Sequence, residues 1–320
     1  MNEVTRIVLS VSLGFILTFL CMKFLPFGGK LLGHDRGRLY APGSEVNIGK
    51  PTGVGIYFVI IFVLVSLIFG FTGAGLIYAM IFVLFSMLFG YLDDRARNPW
   101  GEYIKGGLDF IVAAAGAVFY VISFDTDVTI GITGYSFEIS APIYMLLAIL
   151  LITTSINATN ATDGVDGLSG TVTVLTLTAF MLTSAINGTL DIYKAVPGLA
   201  MISCLLAYLI FNFNPSKVLM GDAGSRAIGY FIAFYAMYLK LPFAYLILGL
   251  PFLLDGGLSI VKITIGRLTH KKIIILKNLT TPVHDHLKKR MGFSVKKTWA
   301  TISLAALAVD VIYLVLVLIF

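Results

Sequence analysis

The sequence predicts an all-α polytopic membrane protein of about ten transmembrane helices, and three observations carry that prediction. Hydrophobic residues make up 58% of the 320 positions and charged residues only 12%, where a soluble domain carries about a quarter charged residues. Mean hydropathy is +0.93. The apolar residues also gather in runs close to the roughly 20 that a helix needs to cross a bilayer. No polar stretch is long enough for a separate soluble domain, so residues 1–320 read as one integral-membrane unit.

The first run, 4–26, is too long for a signal h-region and is followed by no small-x-small cleavage site, so it stays as a span. Runs at 53–70, 73–92 and 107–124 follow. In the stretch 125–140, Val128-Thr129-Ile130-Gly131 and Tyr135-Ser136-Phe137-Glu138 flank a Gly-containing turn, the pattern of a short β-hairpin. Beyond it come 141–156, 168–187, 196–211, 225–239, 242–254 and 299–320, some of them short. Lys240-Leu241-Pro242 leaves room only for a tight membrane hairpin between the eighth and ninth runs.

Ten alternating spans put five loops on one face: 27–52, 93–106, 157–167, 212–224 and 255–298. With the adjoining helix ends, these hold 20 of the 23 Lys and Arg residues; Arg6, Lys194 and Lys240 fall on the other side. Cytoplasmic loops carry the Lys/Arg excess. The five loops are therefore expected in the cytoplasm, with both termini and the hairpin outside. Cys21 and Cys204 sit inside apolar runs and read as small apolar filler.

The residues that carry chemistry fall on that one face. Asp93 and Asp94 form an acidic pair at the inner end of the third span, where adjacent carboxylates need a cation or donors to balance them. The bland alternative is an interfacial solvated pair. In Asn157-Ala158-Thr159-Asn160-Ala161-Thr162-Asp163-Gly164-Val165-Asp166-Gly167, helical spacing puts Asn157, Asn160 and Asp163 on one face. The glycines allow a turn in which backbone amides approach a ligand. The stretch lacks the spacing of a calcium loop and could otherwise be an N-cap and turn. Asn212-Phe213-Asn214-Pro215-Ser216-Lys217 leads into Met220-Gly221-Asp222-Ala223-Gly224-Ser225, a Gly-rich helix start whose amides suit a phosphate. There Asp222 suits Mg²⁺, which takes one or two carboxylates plus substrate phosphates. Against this stands a simple N-capping Asp.

The basic loop 262–298 holds Thr281-Pro282-Val283-His284-Asp285-His286. Zinc would need further nitrogen or sulfur ligands than this pair offers, so phosphate contacts or donor-orienting roles fit better. Lys271, Lys272, Lys288, Lys289 and Arg290 fit anionic lipid heads equally well. Together the carboxylates, amides and cations suit phosphoryl transfer, which rests on positioning and charge neutralisation.

These motifs resemble the polyprenyl-phosphate N-acetylhexosamine-1-phosphate transferase superfamily. The resemblance rests on Asp93-Asp94 with Lys105 downstream, on Asn157-x-x-Asn160-x-x-Asp163-Gly164-x-Asp166-Gly167, and on Asn212 through Gly221-Asp222-x-Gly224-Ser225. Within it the chain looks most like the phospho-N-acetylmuramoyl-pentapeptide transferase branch, from Gly49-x-Pro51-Thr52-Gly53-x-Gly55, Pro282-x-His284-x-His286 and Trp299. It departs from that branch in several places. Asp285 replaces the middle of three histidines, Asn47 and Arg97 stand where Lys is usual, and Leu219 stands where Phe is usual. Lys50, Gly53 and Val54 also alter the glycine-rich signature. The short Asp94-to-Lys105 spacing is that of the branch using UDP-N-acetylglucosamine.

The resemblance implies transfer of phospho-MurNAc-pentapeptide from UDP-MurNAc-pentapeptide to undecaprenyl phosphate, giving lipid I and UMP, on the cytoplasmic face of a bacterial inner membrane. It implies Mg²⁺ on Asp222, a homodimer, and a ninth helix broken near Asp255-Gly256-Gly257. By position, Asp93, Asp94, Asp222, His284 and His286 form the catalytic set, with Asp93 nearest the attacking phosphate. Lys105, Asn157, Asn160, Asp163, Gly164, Asp166, Asn212, Leu219, Met220 and Asn47 stand at the substrate-contacting positions. No nucleic-acid partner is expected. A UDP-N-acetylglucosamine donor remains the alternative. The rival class, a secondary transporter of an anionic solute, would place its site near the midplane within inverted repeats. The sequence has no matching halves and few interior charges, Asp310 being the clearest.

Overall fold

Helices occupy all ten of the apolar stretches. The computed structural model describes residues 1–24, 31–35, 37, 47–70, 72–273 and 275–320, so much of the expected loop 27–52 lies outside the described residues. The helices are α1 (Glu3–Phe24), α2 (Gly55–Gly70), α3 (Ala74–Arg95), α4 (Glu102–Ser123), α5 (Ala141–Thr162), α6 (Leu168–Ile186), α7 (Ile192–Asn212) and α8 (Gly221–Tyr238). The ninth stretch is a series of pieces: a 3-10 turn Pro242–Ala244, α9 (Tyr245–Leu248), α10 (Leu250–Phe252), a π turn Leu253–Gly257 and α11 (Leu258–Leu268). The short α12 (Val283–Lys289) and the long α13 (Val295–Ile319) follow. β1 (Gly33–His34) pairs antiparallel with β2 (Pro51–Thr52). The expected hairpin forms from β3 (Asp127–Thr129) and β4 (Ser136–Glu138), with Val128 opposite Phe137.

Among the described residues seven helices are long and apolar enough to cross a membrane, with an eighth if the bent ninth stretch is one span. The chain is thus a multi-pass membrane protein. α2, with 16 residues, is short for a span, and α8 starts with Asp222 and Arg226. The reason for that polarity is position. α8 is the central helix, packed by α3, α5, α2 and α6, and every residue from Ala223 to Tyr238 is buried. Protein, not lipid, surrounds it, so it needs no apolar surface, and its charges are tolerated where partners meet them.

Two boundaries differ from the sequence expectation. The spans drawn on hydropathy end at the first charges, yet α3 continues through Asp93 and Asp94, α4 begins before Lys105, and α5 runs through Asn157 and Asn160. Asp93, Asp94, Lys105 and Asn160 are paired between helices, so the helices do not need to stop. The break expected in the ninth helix at Asp255-Gly256-Gly257 is also displaced. Its 58° bend falls between Leu248 and Leu250. Pro251 lacks the N–H that would bond one turn back. Residues 253–257 widen into a π turn, which leaves Asp255 buried at 1% exposure.

Candidate active site

The site begins where α3 ends against the start of α8. The Asp94 carboxylate accepts the backbone amides of Asp222 (3.1 Å) and Ala223 (3.0 Å). An acidic side chain from a neighbouring helix therefore caps α8 and meets the positive end of its dipole. Gly221 has φ +68°, and a Cβ there would collide with the Asp94 carboxylate. These amides, expected to be open for a phosphate, include two that Asp94 already takes. Nor is Asp222 an N-cap: it lies inside the first turn and makes no capping bond.

The Asp222 side chain turns instead into a cluster of charges. Its Oδ1 accepts Asn160 Nδ2 at 2.9 Å, and its Oδ2 faces Lys105 Nζ at 3.1 Å and Arg226 Nε at 3.2 Å. Lys105 also pairs with Asp93, whose Oδ1 accepts the Trp100 amide at 2.6 Å. Arg226 pairs with Asp109 on α4. Asp93, Asp94, Asp109 and Asp222 thus set four carboxylates against the two cations Lys105 and Arg226, an excess of two negative charges when all are ionised.

Two carboxylates from different helices, Asp93 and Asp222, share a single ammonium. This oxygen donor set, with its surplus charge, fits a hard divalent ion that takes few protein carboxylates and completes its shell with water and phosphate oxygens. Among the described residues no group of three or more His, Cys, Asp or Glu gathers as a ligand cluster, so most ligands of such an ion would be water and phosphate oxygens.

Other expected contact residues prove to brace the turns. Asp166 accepts Asn214 Nδ2 (2.9 Å), the Ser216 amide (3.1 Å) and the Ser216 hydroxyl (2.9 Å). Asn212 accepts the Gly167 amide (2.9 Å) and donates to Val218 O (2.8 Å). Both are buried, with their polar atoms engaged. Asn157 donates back to Thr153 O on its own helix (2.9 Å), while Asn160 bonds Ser225 Oγ (2.9 Å) besides Asp222. Asp163 follows the last residue of α5 and is half-buried. Leu219 and Met220 act through their backbones: Leu219 N donates to Pro51 O (2.9 Å), and Met220 O accepts Gly55 N (3.0 Å). The Met220 side chain is wholly buried. Asn47 Oδ1 accepts Lys50 Nζ at 2.7 Å.

The histidines are held by partners of their own. His284, expected to face phosphates, is 2% exposed. Its backbone N donates to Asp255 Oδ1 (2.7 Å) and its Nδ1 lies 2.8 Å from Asp255 Oδ2. Gly164, expected to bring an amide to a ligand, lies against this imidazole, which leaves no room for a Cβ. His286 Nδ1 accepts the Thr280 amide at 3.2 Å. Lys288 Nζ donates to Gly164 O at 3.2 Å. Burial alone would raise the Asp285 carboxyl; the hydrogen bond from Lys289 and the charges of His284, Lys288 and Lys289 outweigh it and hold it below its ordinary value.

Sequence reasoning missed Arg226, Asp109 and Asp255. Lys105 with Asp109, and Asp222 with Arg226, are opposite charges at i,i+4 near the starts of two helices, a signal that was available.

Residues 76–240 match the profile of a family described as glycosyl transferase family 4. That segment contains the whole charge cluster and ends before His284. A phospho-N-acetylmuramoyl-pentapeptide-transferase of Treponema pallidum (strain Nichols) is 34% identical over 308 residues, 88% of this chain and 81% of that protein. A protein of the same name from Streptococcus thermophilus (strain CNRZ 1066) is 28% identical over 86% of this chain and 85% of its own length. Another, from Shouchella clausii (strain KSM-K16), is 30% identical over 53% of this chain and 51% of its own.

Proposed function

Since the chain belongs to glycosyl transferase family 4, and within it to the phospho-N-acetylmuramoyl-pentapeptide-transferases, we propose that it makes lipid I for peptidoglycan. A phosphate oxygen of undecaprenyl phosphate attacks the β-phosphorus of UDP-MurNAc-pentapeptide. The bond from that phosphorus to the bridging oxygen breaks, and UMP leaves carrying the oxygen. The observation that carries the reading is the cluster of Asp93, Asp94, Asp109 and Asp222 around two cations among the described residues.

Asp222, with Asp93, would hold Mg²⁺, whose chemistry there is to neutralise the pyrophosphate and the charge that builds on the leaving phosphate. Asn160 and Arg226 orient the Asp222 carboxylate from two sides. Lys105, which already reaches both Asp93 and Asp222, is placed to follow phosphate oxygens as they bind. No general base is required, because a phosphate monoester has its second pKa near 6 and is mostly dianionic at neutral pH. Asp94 keeps the start of α8, and with it Asp222, in place.

The short Asp94-to-Lys105 spacing still lets Lys105 meet both Asp93 and Asp222, with residues 96–101 bridging α3 and α4. Charge asymmetry supports a cytoplasmic site in the bacterial inner membrane, and a homodimer completes the reading. Mass analysis of the lipid product, with UDP-MurNAc-pentapeptide and UDP-N-acetylglucosamine offered together, tests it. Lipid I is expected; product from UDP-N-acetylglucosamine alone would overturn the donor assignment. A reporter fused after Phe320 should be active only when exported.

A further inference from the structure

Lys50 differs from Lys105, Arg226, Lys288 and Lys289 in having no counter-charge among the described residues. Lys105 meets Asp93 and Asp222, Arg226 meets Asp109 and Asp222, and Lys288 and Lys289 meet Asp285. Lys50 Nζ donates to Asn47 Oδ1 at 2.7 Å and to Ser216 Oγ at 2.9 Å, both neutral, and among the described residues no carboxylate pairs with it. Ser216 in turn gives its hydroxyl hydrogen to Asp166 Oδ1 at 2.9 Å, which leaves an oxygen lone pair for the ammonium. An ammonium has three N–H donors, so one remains for a ligand. An arriving anion would give this half-buried ammonium the counter-charge it lacks among the described residues.

The segment that presents Lys50 is a built scaffold. Lys50 O accepts Asp35 N (2.8 Å), Lys50 N donates to Asn47 O (2.9 Å), and the next residue's carbonyl, Pro51 O, accepts Leu219 N (2.9 Å). Two residues on, Thr52 and Gly53 lie against Gly221 and the Asp94 carboxylate. Along an extended strand, two residues cover roughly 7 Å. The backbone of Lys50 therefore lies within roughly 7 Å of Thr52, which touches the start of α8.

We propose that Lys50 is a further substrate-binding residue, whose ammonium takes a phosphate oxygen of the reacting pair, from either the nucleoside diphosphate donor or the lipid phosphate. This rests on the transfer reaction proposed above. It also explains how Asn47, a neutral residue at an expected contact position, serves: the charge is delivered to its side chain from three residues downstream.

The test uses the full chain in detergent with UDP-MurNAc-pentapeptide and undecaprenyl phosphate varied in turn. Lys50→Gln keeps a donor toward Asn47 and Ser216 but removes the charge. It should lower kcat/KM by on the order of 10²-fold, the scale of one positioned electrostatic contact. The substrate whose KM rises identifies which phosphate is held. Because Lys50 Nζ already sits at Asn47, the double change Asn47→Lys with Lys50→Thr should restore activity to within about tenfold of the parent. A Gln variant within about twofold of the parent, or an exchanged pair that stays as low as the Gln variant, overturns the proposal. A parent protein that ignores this donor but turns over another nucleotide sugar would overturn the donor assignment instead, and Lys50 would then be read on that sugar.

Discussion

Two polar assemblies lie on the same side of the chain's elements and are built on opposite principles. At the starts of α4 and α8, carboxylates and cations from three helices meet, with two more carboxylates than cations. Around α12 the partners close on one another. Asp255 gives both oxygens to His284, and Asp285 is held by Lys288 and Lys289 of its own short helix. The first assembly leaves two carboxylates sharing one ammonium; the second fastens a loop to the π turn and to Gly164.

The sharpest way to break this comparison is Asp222→Asn. The change keeps size and the Asn160 contact while removing the charge that faces Lys105 and Arg226. Turnover should fall by at least roughly 10³-fold, without rescue by moderate Mg²⁺, as for loss of a main electrostatic contact. The variant should remain folded by size exclusion and melting. Substantial activity with unchanged Mg²⁺ dependence would move the metal away from Asp222.

A second change tests whether the cross-helix pairs also hold the fold. Arg226→Met leaves Asp109, 3% exposed, without its partner. Stripping one member from a buried pair costs about 3–5 kcal/mol, read as a large drop in melting temperature in detergent. Lys289→Ala, which removes a half-buried loop cation, should cost no more than about 1 kcal/mol. Equal losses for the two would erase the distinction between the regions.

The third concerns the dyad in the loop. If Asp255 and His284 act as one fastening, Asp255→Asn and His284→Ala should each lower kcat/KM, by about 10- to 100-fold, and the double variant should be no worse than either. Independent, multiplying losses would show that His284 works on substrate apart from Asp255. His286→Ala, which only frees the Thr280 amide, should fall least.

Much of this was legible in the sequence for a plain reason. Apolar runs and the turn before Tyr135 are local signals, so the ten helical stretches and the hairpin could be placed before any packing was known. The candidate site was legible by residue type: Asp93, Asp94, Lys105, Asn160 and Asp222 do come together. Their roles were not. The Arg226–Asp109 contact joins residues 117 apart and the Asp94 cap joins residues 128 apart. Gly164 looked like a ligand turn because nothing local reveals that His284 fills the space above it. The bend was misplaced because two glycines drew attention from Pro251, whose missing N–H is the stronger break.

The smallest expected effect belongs to Asp285 and separates fastening from chemistry by pH. Its carboxyl is held below the ordinary value: burial works against this, and the Lys289 hydrogen bond with the charges of His284, Lys288 and Lys289 prevails. A depressed folded pKa contributes stability that is present above the unfolded value, about 3.9, and is lost as pH falls through the folded one. At neutral pH, Asp285→Asn should therefore speed hydrogen exchange across residues 283–289 by at most about fivefold, since a partly solvated ion pair contributes about 0.2–1 kcal/mol. The difference between variant and parent should shrink below about pH 4 and vanish once Asp285 is protonated in both states. Turnover at neutral pH should change little, because this carboxylate joins no helix of the charge cluster. A large loss of turnover with unaltered exchange would place Asp285 in the chemistry, and the loop would then belong with the first assembly.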